Sequence, residues 1–194
     1  MPLRLLTLIA ATALAAPSLA ATGDPADRIG RYDDQVIAIM KAGLPLGPRA
    51  DRFEPLVKNY YDMPAIAALV VGPVWATTSA PDRAAATQAL TRHSAVSLAK
   101  NFKSYGGERF TVDPAVQARG ASQVVKLTIA SSSSSDTLLY RMQRAGDGQW
   151  RIVDVVSAGV SQLAVQRADL ASIVASGGAA GLAKRLALAD AKAK

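Results

Sequence analysis

Apolar residues recur every third or fourth position up to Gly106-Gly107, every second position from Arg109 to Val156, and helically again after Gly159. A helical period and a strand period cannot share one element, so the two switches divide the chain into helices, then strands, then helices. In residues 27–41, Ile29, Tyr32, Val36, Ile39 and Met40 mark an amphipathic helix. Breakers follow at Gly43, Pro45, Gly47 and Pro48, and the spacing resumes with Phe53, Leu56, Val57, Tyr60 and Tyr61. Asp62 before Pro64 predicts a fresh helix that stops at Gly72-Pro73. Ser79-Ala80-Pro81-Asp82 resembles a capping box opening a long helix that carries Leu90, His93, Ser97 and Phe102 and ends at Gly106-Gly107. Strands are expected at 109–112, 124–130, 137–144 and 149–156, with Val125, Leu127 and Ile129 sharing one face. The serines at 131–135 and Gly146-Asp147-Gly148 are connections short enough for an antiparallel meander. Leu163, Gln166, Arg167, Leu170, Ile173 and Val174 form the closing helix, capped by Gly177-Gly178, and a short last helix carries Leu182 and Leu186. Helices segregated against one antiparallel sheet make the expected class α+β.

The N-terminus points to export. Arg4 precedes an uncharged apolar run of about a dozen residues, 5–16, and Ser18-Leu19-Ala20 places small residues before a cut after Ala20. Read instead as a retained anchor, the run is short for a bilayer. No Cys follows it, which excludes a lipid-modified N-terminus. The expected organisation is therefore a signal over residues 1–20, one domain over 21–188, and a frayed tail over 189–194. With no cysteine anywhere, thiol catalysis, disulfides and cysteine zinc sites are excluded, and stability rests on packing. Beyond the signal, 21 basic residues face 15 acidic ones, a net +6 that favours anionic surfaces such as lipid headgroups. The basic residues are scattered, which argues against nucleic acid as a partner.

The inventory for catalysis is thin. Histidine-based acid–base schemes would have to be built on His93, the single histidine, in mid-helix. Asp154 stands among β-branched residues in 150–156, where a carboxylate is costly unless paired. It either lines a pocket as a general base or headgroup contact, or it pins the strand end through an ion pair or backbone hydrogen bond. No ligand spacing suggests a metal, and no glycine-rich loop suggests a phosphate cradle. Small residues on helices facing a curved sheet can leave an apolar space suited to an acyl chain or a polycyclic lipid, although composition does not separate such a space from a dry core, the commoner outcome.

A series of short motifs carries a family resemblance. They are Tyr61-Asp62-Met63-Pro64, Gly72-Pro73-Val74-Trp75 and Tyr105-Gly106-Gly107-Glu108 in the first half. The second half adds Tyr140-Arg141-Met142, Gly148-Gln149-Trp150 running on to Asp154-Val155, and Gly159-Val160-Ser161, with Arg167 in the closing helix. In order and spacing, from Phe53 to Leu186, this resembles the MlaC, or toluene-tolerance, family of periplasmic lipid carriers. Residues 161–167 followed by Gly177-Gly178 are closest to its hopanoid-biosynthesis-associated branch, HpnM. The chain departs from the pattern at Leu90 and Leu98, where the family more often has aromatics, and in the serine run at 131–135.

The resemblance implies helices packed on one curved antiparallel sheet that encloses an apolar cavity for lipid tails. It implies a monomeric periplasmic shuttle for phospholipid or hopanoid between the inner and outer membranes, without catalytic residues, metal or cofactor. Its partners would be an inner-membrane ABC transporter complex and an outer-membrane lipoprotein, with transient contact to the membrane surface. Candidates to line the tails are Trp75, Phe102, Phe110, Leu127, Leu139, Trp150 and Ile152. Each buried methylene is worth about 0.8 kcal/mol, so two long chains would forfeit on the order of 20 kcal/mol on release into water. Transfer must therefore happen while the carrier is docked, and a basic surface would assist that docking in a salt-sensitive way. Two other readings remain. One is an isomerase- or dehydratase-like α+β enzyme using Asp154, Tyr140 and His93; the other is a lipid-free adaptor.

Overall fold

The computed structural model describes residues 23–191. The signal expected over residues 1–20 lies outside the described residues, as do residues 192–194 of the expected tail. No helix among the described residues is long and apolar enough to cross a membrane.

Helix α1 (Pro25–Lys41) opens on Asp24, whose carboxylate accepts the Ala26 amide at 2.7 Å. Helix α2 (Leu46–Tyr60) begins before the expected apolar stripe, because Gly47 and Pro48 fall in its first turn, where no helical acceptor is needed. Asp62 caps α3 (Met63–Val71) by accepting the Ala65 amide, and a 3-10 turn follows over Gly72–Thr77. Ser79 and Asp82 open α4 (Ala80–Asn101) as expected, with the Ser79 hydroxyl accepting the Asp82 amide. This helix ends well short of Gly106-Gly107. Phe102 leaves the helical conformation and turns inward against Phe53, ring centroids 6.2 Å apart. Arg49 holds that end by donating to the carbonyls of Ala99 and Lys103 at 2.8 and 2.7 Å, satisfying acceptors the helix leaves open.

The sheet is antiparallel and open, and its first edge is in two pieces. Strands β1 (Arg109–Val112) and β2 (Gln117–Arg119) both pair with β3 (Ser122–Ala130) and are separated by a segment containing Pro114. The sequence reading missed β2, whose three residues are all exposed and carry no apolar alternation. Strand β3 pairs with β4 (Ser135–Arg144), β4 with β5 (Trp150–Ser157), and β5 with the two-residue β6 (Val160–Ser161). Between Arg141 and Met142 the β4–β5 register shifts at Val153. This bulge lets Ile152 and Val155 both oppose inward residues, Met142 and Tyr140, although three positions apart. Helices pack on one face only. Tyr32, Phe53, Leu90, Val125, Leu127, Met142 and Ile152 are wholly buried in the core. Strand β5 is also tied to the α2–α3 junction, where the Asp62 amide donates to the Ile152 carbonyl at 2.9 Å.

Helix α5 (Gln162–Ala191) is broken at Gly178, as the paired glycines suggested. Its last turn extends into the expected tail, and Asp190 is buried, so residues 189–191 are helix rather than a frayed end. Gly178 has φ +58° and ψ −153°, a combination open essentially to glycine alone. The bend it makes allows Leu182 and Leu186 to bury their side chains. Gly178→Ala is expected to lower stability by about 1–3 kcal/mol. Urea denaturation checks this, and an unchanged midpoint would show that the bend can form without glycine.

Candidate functional site

Between α4, the first half of α5 and the inner face of β3–β5 lies an open cavity of about 560 Å³, within the range of small-molecule sites. Leu98 and Phe102 come from α4, Ile129 and Leu138 from the sheet, and Leu163 and Leu170 from α5. Ser94 and Ser97, short side chains on α4, form part of the wall and fill little of the space. On α5 the lining residues include Leu163, Gln166 and Leu170, one face of a helix.

One part of the wall is a tyrosine cluster. Tyr32, Tyr61 and Tyr140 all line the cavity. The hydroxyls of Tyr32 and Tyr61 are 3.1 Å apart, and the Tyr32 ring meets those of Tyr61 and Tyr140 edge-on at 5.9 and 6.0 Å. Burial pushes the Tyr61 hydroxyl up to about 12 and those of Tyr32 and Tyr140 well above 10. All three are therefore neutral donors. Asp33, next to Tyr32 on α1, is 3 % exposed, and neither carboxyl oxygen has a hydrogen-bond partner among the described residues. Burial first, then the neighbouring charge of Asp34, pushes its carboxyl up to about 8. It is accordingly protonated at neutral pH.

Two carboxylates fix the ends of α5. Asp154 accepts from the Ser161 hydroxyl at 2.8 Å and the Leu163 amide at 3.1 Å, with the Arg141 guanidinium 3.6 Å away. It thus pins the strand end and caps α5, and it also lines the cavity. Beyond the bend, Asp190 Oδ1 lies 3.0 Å from Nδ1 of His93, another lining residue. Among the described residues no group of three or more His, Cys, Asp or Glu side chains could hold a metal.

Of the seven residues expected along the tails, Phe102 lines the cavity. Phe110 stands behind it, ring centroids 6.4 Å apart. Leu127 and Ile152 are wholly enclosed in the core. Leu139 pairs with Lys126 and Val156 on the opposite face from Leu138 and Tyr140, and lines a second, smaller depression. Trp75 lies in the 3-10 turn beneath the Arg83 guanidinium, and Trp150 beneath that of Arg144. The sequence reading favoured large side chains, whereas the wall is built largely from Ser, Asp, Gln and mid-sized aliphatics. The signal that could have found α5 was its mixed stripe, in which Gln166 sits between Leu163 and Leu170.

Asp33 yields a pH signature. Its folded pKa of about 8 exceeds the ordinary 3.8, so between these values the folded protein keeps a proton that the unfolded chain has released. Stability from this group is therefore full below about pH 4 and falls as pH rises toward 8, by at most ~1.4 kcal/mol per pH unit. Asp33→Asn is expected to remove that slope and to be more stable than the parent protein at pH 8. Denaturation curves from pH 4 to 8 test it, and parallel declines for both proteins would refute the assignment.

The family model described as MlaC protein matches residues 31–188. No curated protein matches the chain. Among solved structures, the chain is similar to a phospholipid-binding protein from Ralstonia solanacearum, determined in complex with a phospholipid. The two share 18% identity over 88% of this chain and 99% of that one, with a TM-score of 0.67, a likeness of fold. With the family model covering most of its length, this chain belongs to the MlaC family.

Proposed function

We propose that this protein is a periplasmic lipid carrier that shuttles phospholipid or hopanoid between the inner and outer membranes. The observation that carries the proposal is the open cavity, walled in part by aliphatic side chains, on a fold shared with a protein that binds a phospholipid. Tails would lie against Leu98, Phe102, Leu138 and Leu163, with the polar end at the opening. Because tail burial makes free release prohibitively slow, loading and unloading would occur on docked partners. An ABC transporter complex in the inner membrane and a lipoprotein in the outer one fit that role. The protein would act as a monomer without a cofactor. The hopanoid option rests on the wording of residues 161–167 and on Gly177-Gly178.

The enzyme reading draws some support, since Asp154, Tyr140 and His93 all line the cavity. Each is already engaged or unsuited, however. Asp154 caps α5, His93 Nδ1 faces Asp190, and burial holds the Tyr140 hydroxyl well above its ordinary value. A lipid-free adaptor would have little use for a space of this size.

Mass spectrometry of lipid extracted from mature protein, purified from the periplasm without detergent, is expected to find near-stoichiometric lipid. Leu98→Trp, which fills the cavity from α4, is expected to reduce that lipid severalfold while thermal unfolding stays cooperative. Protein that arrives lipid-free and takes up none from vesicles would sink the carrier reading.

A further inference from the structure

Tyr140 brings to the cavity a hydrogen-bond donor that nothing among the described residues uses. It lines the cavity, yet the residue as a whole is only 2 % exposed. Its hydroxyl has no hydrogen-bond partner among the described residues. The neighbouring tyrosines all have one: Tyr32 and Tyr61 meet hydroxyl to hydroxyl at 3.1 Å, and Tyr60 accepts from the Gln35 amide at 2.8 Å. Unlike the two carboxyl oxygens of Asp33, the Tyr140 hydroxyl is not sealed inside the protein, and the open space beside this residue is the cavity. The Tyr32–Tyr61 pair supplies a second donor there, because two facing hydroxyls need only one proton between them. The Tyr32 ring ties the group together, meeting the Tyr61 and Tyr140 rings edge-on at 5.9 and 6.0 Å.

Resting on the lipid-carrier reading, we propose that the Tyr140 hydroxyl, seconded by the Tyr32–Tyr61 pair, donates to an uncharged oxygen on the enclosed part of the lipid, an ester carbonyl or a hydroxyl. An interior O–H without an acceptor is costly, and phenylalanine would fill the same space without that cost. A cavity for bare hydrocarbon would gain nothing from a donor at this place. The acceptor is uncharged because neither Lys nor Arg lines the cavity, so a phosphate drawn inside would leave water without a counter-charge. A charged headgroup therefore stays at the opening, and the lipid is sorted by the oxygen it carries further in. A guest with no acceptor leaves the donor unmet, which is how a hydrogen-bonding site rejects an analogue lacking the matching group.

The test offers the mature protein two pairs of guests, each pair in equal amounts. One pair is ester-linked phosphatidylglycerol and its ether-linked analogue, mixed in vesicles. The other is a hopanoid alcohol and the hydrocarbon with the same rings, carried in vesicles of the ether lipid. Bound lipid is then quantified by mass spectrometry. The parent protein is expected to hold about a fivefold excess of the oxygen-bearing member of one pair, the effect of one hydrogen bond, and the pair that shows it identifies the acceptor. Tyr140→Phe keeps the ring contact with Tyr32 and should bring the ratio to that of the vesicles, with thermal unfolding still cooperative. Tyr32→Phe with Tyr61→Phe removes the second donor and should about halve the excess, which provides a reading even if Tyr140→Phe fails to fold. Even ratios for both pairs in the parent protein would overturn the inference while leaving the carrier intact. So would an excess that folded Tyr140→Phe retains in full. Protein that takes up no lipid from either preparation would overturn the carrier reading itself.

Discussion

Helix α5 is held by its ends, and the cavity depends on that. At one end the Asp154 carboxylate takes the Leu163 amide; at the other, past Gly178, Leu182 and Leu186 are buried and Asp190 meets His93. Between these anchors, residues 163–170 present one face to open space rather than to a filled interior. Protein interiors ordinarily close to crystal-like density, and a gap costs the contacts its lining forgoes. Here collapse would have to break the cap or unseat the distal turn. The opposite wall is equally fixed, because α4 is backed by α2 and its end is gripped by Arg49.

The tyrosine-lined part of the cavity is polar but uncharged. Tyrosine hydroxyls raised by burial supply hydrogen-bonding capacity without a net charge. Asp33, close by on α1, is neutral for the same reason. An ionised group in that position would draw water inward and penalise an apolar guest. Formal charge is confined to residues that contact solvent or a fixed partner.

Most of the fold was legible in the sequence because its boundaries are set locally. Asp62 with Pro64, Ser79 with Asp82, and the two period changes fixed helix starts and strand runs by short-range chemistry. The end of α4 was not legible. It depends on Phe102 stacking against Phe53 and on Arg49, fifty residues before Ala99, reaching its carbonyls. Likewise, Asp190 reads as tail until it is seen against His93. Small residues on helices facing a sheet allowed an interior space but did not distinguish it from a dry core, and the lining was not legible either. Which of Leu138 and Leu139 faces inward depends on register, and a one-residue change reverses every side chain. The bulge at Val153 adds a second such reversal that alternation cannot reveal.

The interrupted first edge of the sheet has a consequence for a protein that exposes one face of a single sheet. Strands at an edge present unpaired backbone groups that can template growth onto another chain. Here one edge is divided into pieces of four and three residues around a segment with Pro114, which lacks an amide to donate. On the other edge the two-residue β6 covers only Val156 and Ser157 of β5, and the Asp62 amide bonds the Ile152 carbonyl further along. The divided edge offers no run long enough to zip onto a neighbour. Copies crowded together thus find no continuous template along that edge.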